Sequence, residues 1–151
     1  MNNIKTFENF NNQDIFKYIY ENDIKSVKNY IDSGYDLNMQ NNFGYTPLMY
    51  ATSYNKIKIV ELLLSAGADI NKQNNSGSTS LILAAVYNNI EIVKLLLNSG
   101  ANIDERDNSD IALINAAYYN NIEIVKLLLN YGVNIDKQDN YGNTALMSAA
   151  S

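Results

Sequence analysis

Between residues 87 and 98 the chain reads YNNIEIVKLLLN, with Glu91, Lys94 and Asn98 recurring at steps of three and four and Ile90, Ile92, Val93, Leu95, Leu96 and Leu97 filling the positions between. The spacing predicts a helix with one narrow polar stripe, apolar around most of its circumference, which neighbours must cover on both sides. The same letters return at 119–130, thirty-two residues on, and a near-copy, YNKIKIVELLLS, stands thirty-three residues upstream at 54–65. Self-similarity at this period predicts one unit stacked several times. A weaker version opens the array: Ile15, Tyr18 and Ile19 suit a first helix, and Ile24, Val27, Tyr30 and Ile31 a second. Lys17, Glu21, Lys25 and Lys28 give that first unit the polar outer face a terminal repeat needs.

The residues that interrupt the apolar runs keep the same beat. All seven glycines fall on two repeat positions: Gly34, Gly67, Gly100 and Gly132 after the second helix, where a left-handed cap is expected, and Gly44, Gly77 and Gly142 at a turn before the first. Thr46-Pro47 reads as a helix start, with Thr as N-cap and Pro at the first helical position; Thr79 and Thr144 repeat the cap. Asn22, Asn55, Asn88 and Asn120 stand where the chain reverses between helices, and Asn tolerates positive φ better than other residues bearing a Cβ.

GYTPLMYA at 44–51 followed by IVELLLSAGADIN at 59–71 resembles the ankyrin repeat, through that family's Gly-Xaa-Thr-Pro-Leu, Ile-Val-Xaa-Leu-Leu-Leu and Gly-Ala-Asp-Xaa-Asn motifs. The resemblance implies an all-α solenoid of antiparallel helix pairs with β-hairpin-like loops projecting from one edge. It implies a binding scaffold that holds partners on the loop tips and the concave face of the first helices. On this reading residues 1–13 are a tail or docking arm and 14–151 one domain: a degenerate repeat at 14–40, full repeats at about 41–73, 74–106 and 107–138, and a partial one at 139–151. Met49, Ile82, Ile114 and Met147 stand where the family usually has histidine, so packing is expected to replace its hydrogen bonds. The third full repeat is one residue short and lacks both the turn Gly and the cap Thr, which leaves Asp110 to cap its first helix. After GNTALMSAAS no second helix is at hand to cover Leu146 and Met147, so either more repeats follow or this end meets another surface.

Composition narrows the chemistry. With 151 residues and 46% hydrophobic content, one domain accounts for the chain. No membrane span or secretion signal is visible, which places the expected site of action in the cytoplasm or, after delivery, in a host cell. A net charge of -5 argues against nucleic acid, whose affinity rests on Lys and Arg neutralising phosphates. Without His or Cys the common nucleophile systems and zinc sites are excluded within this chain. Asp104, Glu105, Asp107 and Asp110 could in principle bind Ca2+, but Arg106 sits among them, and the Gly and distal Glu of a calcium loop are missing. Ser53-Tyr54-Asn55-Lys56 matches Ser-Xaa-Xaa-Lys only where the repeat pattern already accounts for it. No catalytic, cofactor or metal residues are assigned.

The partner-binding candidates are aromatic. Tyr54, Tyr87 and Tyr119 share one position at the end of successive first helices, beside the variable Ser53, Val86 and Tyr118, and should form a ladder on one face. Phe43, Tyr45 and Tyr141 lie at loop positions which the resemblance places on the hairpin edge. Tyr combines large contact area with a polar tip and little entropy to lose. The expected function is non-enzymatic binding of another protein, basic or mixed in charge, with a host-directed effector or inhibitor as one form. The alternatives are the targeting part of a longer protein with its catalytic part beyond Ser151, and a structural oligomer self-associating through the C-terminal partial repeat.

Overall fold

The computed structural model describes residues 14–103 and 112–150. The expectations for the N-terminal arm, for capping by Asp110 and for the acidic cluster at 104–110 concern residues outside these. Nine helices stand in the described residues: α1 (Asp14–Tyr20), α2 (Ile24–Asp32), α3 (Pro47–Ser53), α4 (Ile57–Ser65), α5 (Ser80–Val86), α6 (Ile90–Asn98), α7 (Ala112–Tyr118), α8 (Ile122–Asn130) and α9 (Ala145–Ala149). The first eight pair as antiparallel neighbours in sequence, and each helix packs on its counterpart in the next repeat, so odd-numbered helices, called the inner helices below, form one layer and even-numbered helices another. The odd-numbered layer is the more extensively packed. The core runs between the layers through Ile19, Leu48, Ile59, Leu63, Leu81, Ile92, Leu96, Ile124 and Leu128.

Local chemistry explains why each helix is short. Thr46 is extended and its hydroxyl accepts the Met49 N–H at 3.2 Å, Pro47 sits inside the first turn, and Thr79 and Thr144 make the same cap on α5 and α9. Met49, in place of histidine, does more than pack: its sulfur accepts the Thr46 N–H at 3.5 Å and closes a capping box. At the other end of α3, Asn55 has φ 52°, and its N–H bonds Thr52 O while Lys56 N–H bonds Ala51 O. The second helix α4 ends with the same pair of bonds around Gly67, from Gly67 to Leu64 and from Ala68 to Leu63. Asn therefore serves at the tight turn inside a repeat, and Gly at its exit.

The polar stripe falls on the outside as its spacing requires. Glu91, Lys94 and Asn98 are exposed, while Ile92, Val93, Leu96 and Leu97 are buried. Lys58 to Glu61 (3.2 Å) and Lys126 to Glu123 (2.8 Å) pair along this exposed stripe. At such exposure each contributes about 0.2–0.5 kcal/mol.

Asparagine joins one repeat to the next. Asn89 donates its side-chain amide to Thr52 O at 2.8 Å, and Asn121 donates to Ala85 O at 2.7 Å. Both carbonyls end an inner helix and sit at positions that repeat after thirty-three residues. Asn38 and Asn71 act likewise in the loops, accepting the N–H groups of Asp69 and Asn102 at 2.7 and 2.9 Å.

Candidate binding surface

The loops before the inner helices are held by their first residue. Asn41 Oδ1 accepts the N–H groups of Phe43 and Tyr45, both at 3.0 Å, and Gly44 N–H bonds Asn41 O at 2.8 Å. Asn74 and Asp139 hold the following and the last described loop in the same way. These closures are tight turns; no strand is present among the described residues. Adjacent loops then laminate. Asn75 N–H bonds Phe43 O at 3.2 Å, its side chain bonds Asn42 O at 3.0 Å, and Gln40 reaches Gln73 O at 2.8 Å. Contact is close enough that a Cβ on Gly44 would lie 2.5 Å from Asn75 N, and Gly44 also has φ 77°.

Lamination brings loop and helix ends around one groove of about 730 Å³. Phe43, Tyr45, Ser53, Tyr54 and Tyr87, all expected as binding residues, line it together. Tyr50, Asn41, Asn75 and Ser76 complete the lining. Sequence reasoning missed Tyr50, although it precedes Tyr54 by four residues on a helix and so shares its face. Phe16 and Tyr20 carry the same signal one repeat earlier. The rings interlock: Phe16 meets Tyr50 edge-on at 5.3 Å, Tyr50 meets Tyr54 at 4.8 Å, and Tyr54 meets Tyr20 edge-on at 5.3 Å.

The expected tyrosine ladder is therefore divided. Tyr54 is shared between the groove and a cluster that fastens α1 to α3, whereas Tyr87 lines the groove 52% exposed. Tyr119 lies away from the groove lining and meets Tyr118 edge-on at 5.1 Å, both rings exposed. Val86 is half-buried against the core, and Tyr141 stands 83% exposed on the last loop.

Hydroxyl chemistry differs from ring to ring. Burial first, then the neighbouring Tyr87, raises the Tyr45 phenol, opposed by a hydrogen bond from the Asn74 side chain. Burial also raises Tyr50, and its hydrogen bond to Tyr54 raises it further, as expected where Tyr50 donates to the Tyr54 oxygen. The inner helices α3, α5 and α7, PLMYATS, SLILAAV and ALINAAY, carry no charged side chain.

A second groove of about 520 Å³ lies at the far end, where Leu113, Ile122, Val125, Leu129, Ile135 and Leu146 line an apolar wall. Leu146 is 81% exposed there. No helix among the described residues is long and apolar enough to cross a membrane.

The family model described as ankyrin repeats (3 copies) matches the chain over residues 15–107 and 104–151. None of the curated proteins compared with the chain matches it.

Proposed function

Because the chain belongs to the ankyrin-repeat family, whose members are generally protein-protein interaction modules, we propose that it is a non-enzymatic module holding a partner protein in the groove between its inner helices and its loops. The observation that carries this reading is the convergence of Phe43 and Tyr45 from one loop with Tyr54 and Tyr87 from two helix ends. Tyrosines in a partly enclosed setting supply anchor area, and Asn and Ser beside them supply hydrogen bonds, the composition typical of engineered and natural paratopes. The net charge of -5 lies outside the inner helices α3, α5 and α7 and favours a basic or mixed-charge partner at the rim.

Capture of partners by the immobilised full chain from its native cell or host, read by mass spectrometry, tests the assignment. Proteins enriched by the unaltered chain are expected to fall about tenfold with Tyr87→Ala, a loss of roughly 1.4 kcal/mol. Tyr87 is the informative position because, among the described residues, no ring contact with another aromatic side chain ties it into the fold, unlike Tyr54. Capture that is unchanged by Tyr87→Ala removes the groove from consideration.

A second reading draws on the far groove. An apolar wall ending in the exposed Leu146 also suits self-association of this chain.

A further inference from the structure

Resting on the groove as the partner-binding surface, we propose that its occupant is an uncharged, proline-rich stretch of the partner chain, bound in the extended polyproline conformation. The lining consists entirely of aromatic, amide and hydroxyl side chains around Tyr45, Tyr50, Tyr54 and Tyr87. A Lys, Arg or carboxylate entering it would give up part of its water with no opposite charge to meet it. The formal charge of the molecule is carried elsewhere.

Hydrogen-bonding capacity points the same way. Asn41 Oδ1 is filled by two backbone N–H groups, and the Ser53 hydroxyl gives its hydrogen to Met49 O at 3.0 Å. Unspent in the groove are the hydroxyl hydrogens of Tyr54 and Tyr87, for which no acceptor is placed among the described residues. These two donors suit a residue that leaves its backbone carbonyl free and carries no charge. Proline is that residue: it has no N–H, presents a flat apolar ring to an aromatic face, and arrives in a conformation whose carbonyls are all free. Its preset φ also lowers the ordering cost of binding, which an open groove of this kind cannot recover by enclosing its ligand.

A phage-displayed library of random twelve-residue peptides, selected on the full chain and followed by fluorescence anisotropy of the enriched peptides, decides the matter. Enriched peptides should carry prolines about three residues apart, matching the polyproline repeat, with few charged residues. Replacing those prolines by Ala should weaken binding at least tenfold. Tyr87→Phe, which removes only the hydroxyl, should weaken it severalfold, and Tyr87→Ala should abolish it. Enriched peptides that need Tyr87 yet lack proline, or that are rich in Lys and Arg, overturn this inference and leave the groove as the binding surface. Peptides indifferent to Tyr87→Ala, or no enrichment at all, overturn both.

Discussion

Thr52 illustrates how a single residue can work against its fold. Its side chain is fully buried and its hydroxyl has no hydrogen-bond partner among the described residues. The matching positions in the next two repeats, Ala85 and Ala117, carry no hydroxyl. Thr52→Val keeps the shape and removes the orphaned group, so it should stabilise the chain by about 1 kcal/mol, seen as a higher urea midpoint at unchanged slope. Asp139 is the opposite case, a charge the fold uses. Partial desolvation pushes its carboxyl up, but hydrogen bonds from Asn143, Tyr141 and Gly142 outweigh this and hold it below the usual range. A depressed folded pKa gives stability that is present above the unfolded value of about 3.9 and is lost as pH falls through the folded one. The last described loop should therefore loosen below about pH 4. Asn41 and Asn74 hold the equivalent loops without a charge, so Asp139→Asn should retain the loop and abolish this acid response, as followed by the Tyr141 amide resonance. Tyr30 has an alkaline counterpart: burial, aided by Asp36 and Tyr35, pushes its phenol up to about 12, so the stability it gives is lost between about pH 10 and 12.

At the scale of helices and turns, most of the architecture was legible in the sequence because the rules are local. Thr before Pro, Asn at positive φ and Gly after a second helix each act within a few residues, and the three-four spacing of Glu91, Lys94 and Asn98 marks the outer stripe unaided. Met49 was legible only as a departure; that its sulfur would take the Thr46 N–H depends on a rotamer that no spacing reveals. The joints between repeats were not legible either. Asn89 and Asn121 precede second helices and look like N-caps, yet neither side chain caps its helix; each reaches back thirty-six or thirty-seven residues to a carbonyl of the previous repeat. Replacing both with Ala should cost about 2 kcal/mol in total and broaden the urea transition, because nearest-neighbour coupling is what makes a stacked array unfold as one. A transition equally steep in the double variant would assign the coupling to apolar packing alone.

For the whole molecule, the layered stacking followed from periodicity, but the groove did not. Phe43, Tyr45, Ser53, Tyr54 and Tyr87 could be named one by one, whereas their meeting depends on how loops thirty-three residues apart laminate, through Gln40, Asn42 and Asn75. The far end makes its own prediction. If the apolar wall around Leu146 serves self-association, light scattering should give a mass that rises with concentration, and Leu146→Glu should return it to that of one chain. A mass independent of concentration would exclude that use of the surface.

The joint from Asn89 to Thr52 and the joint from Asn121 to Ala85 are the same connector used twice. A connector that fits its own copy makes length a free variable: duplicating one repeat in the gene would insert a segment whose plug and socket already match at both ends. The chain can thus be read as a string of interchangeable couplings, in which an added repeat lengthens the stack without new packing having to be invented.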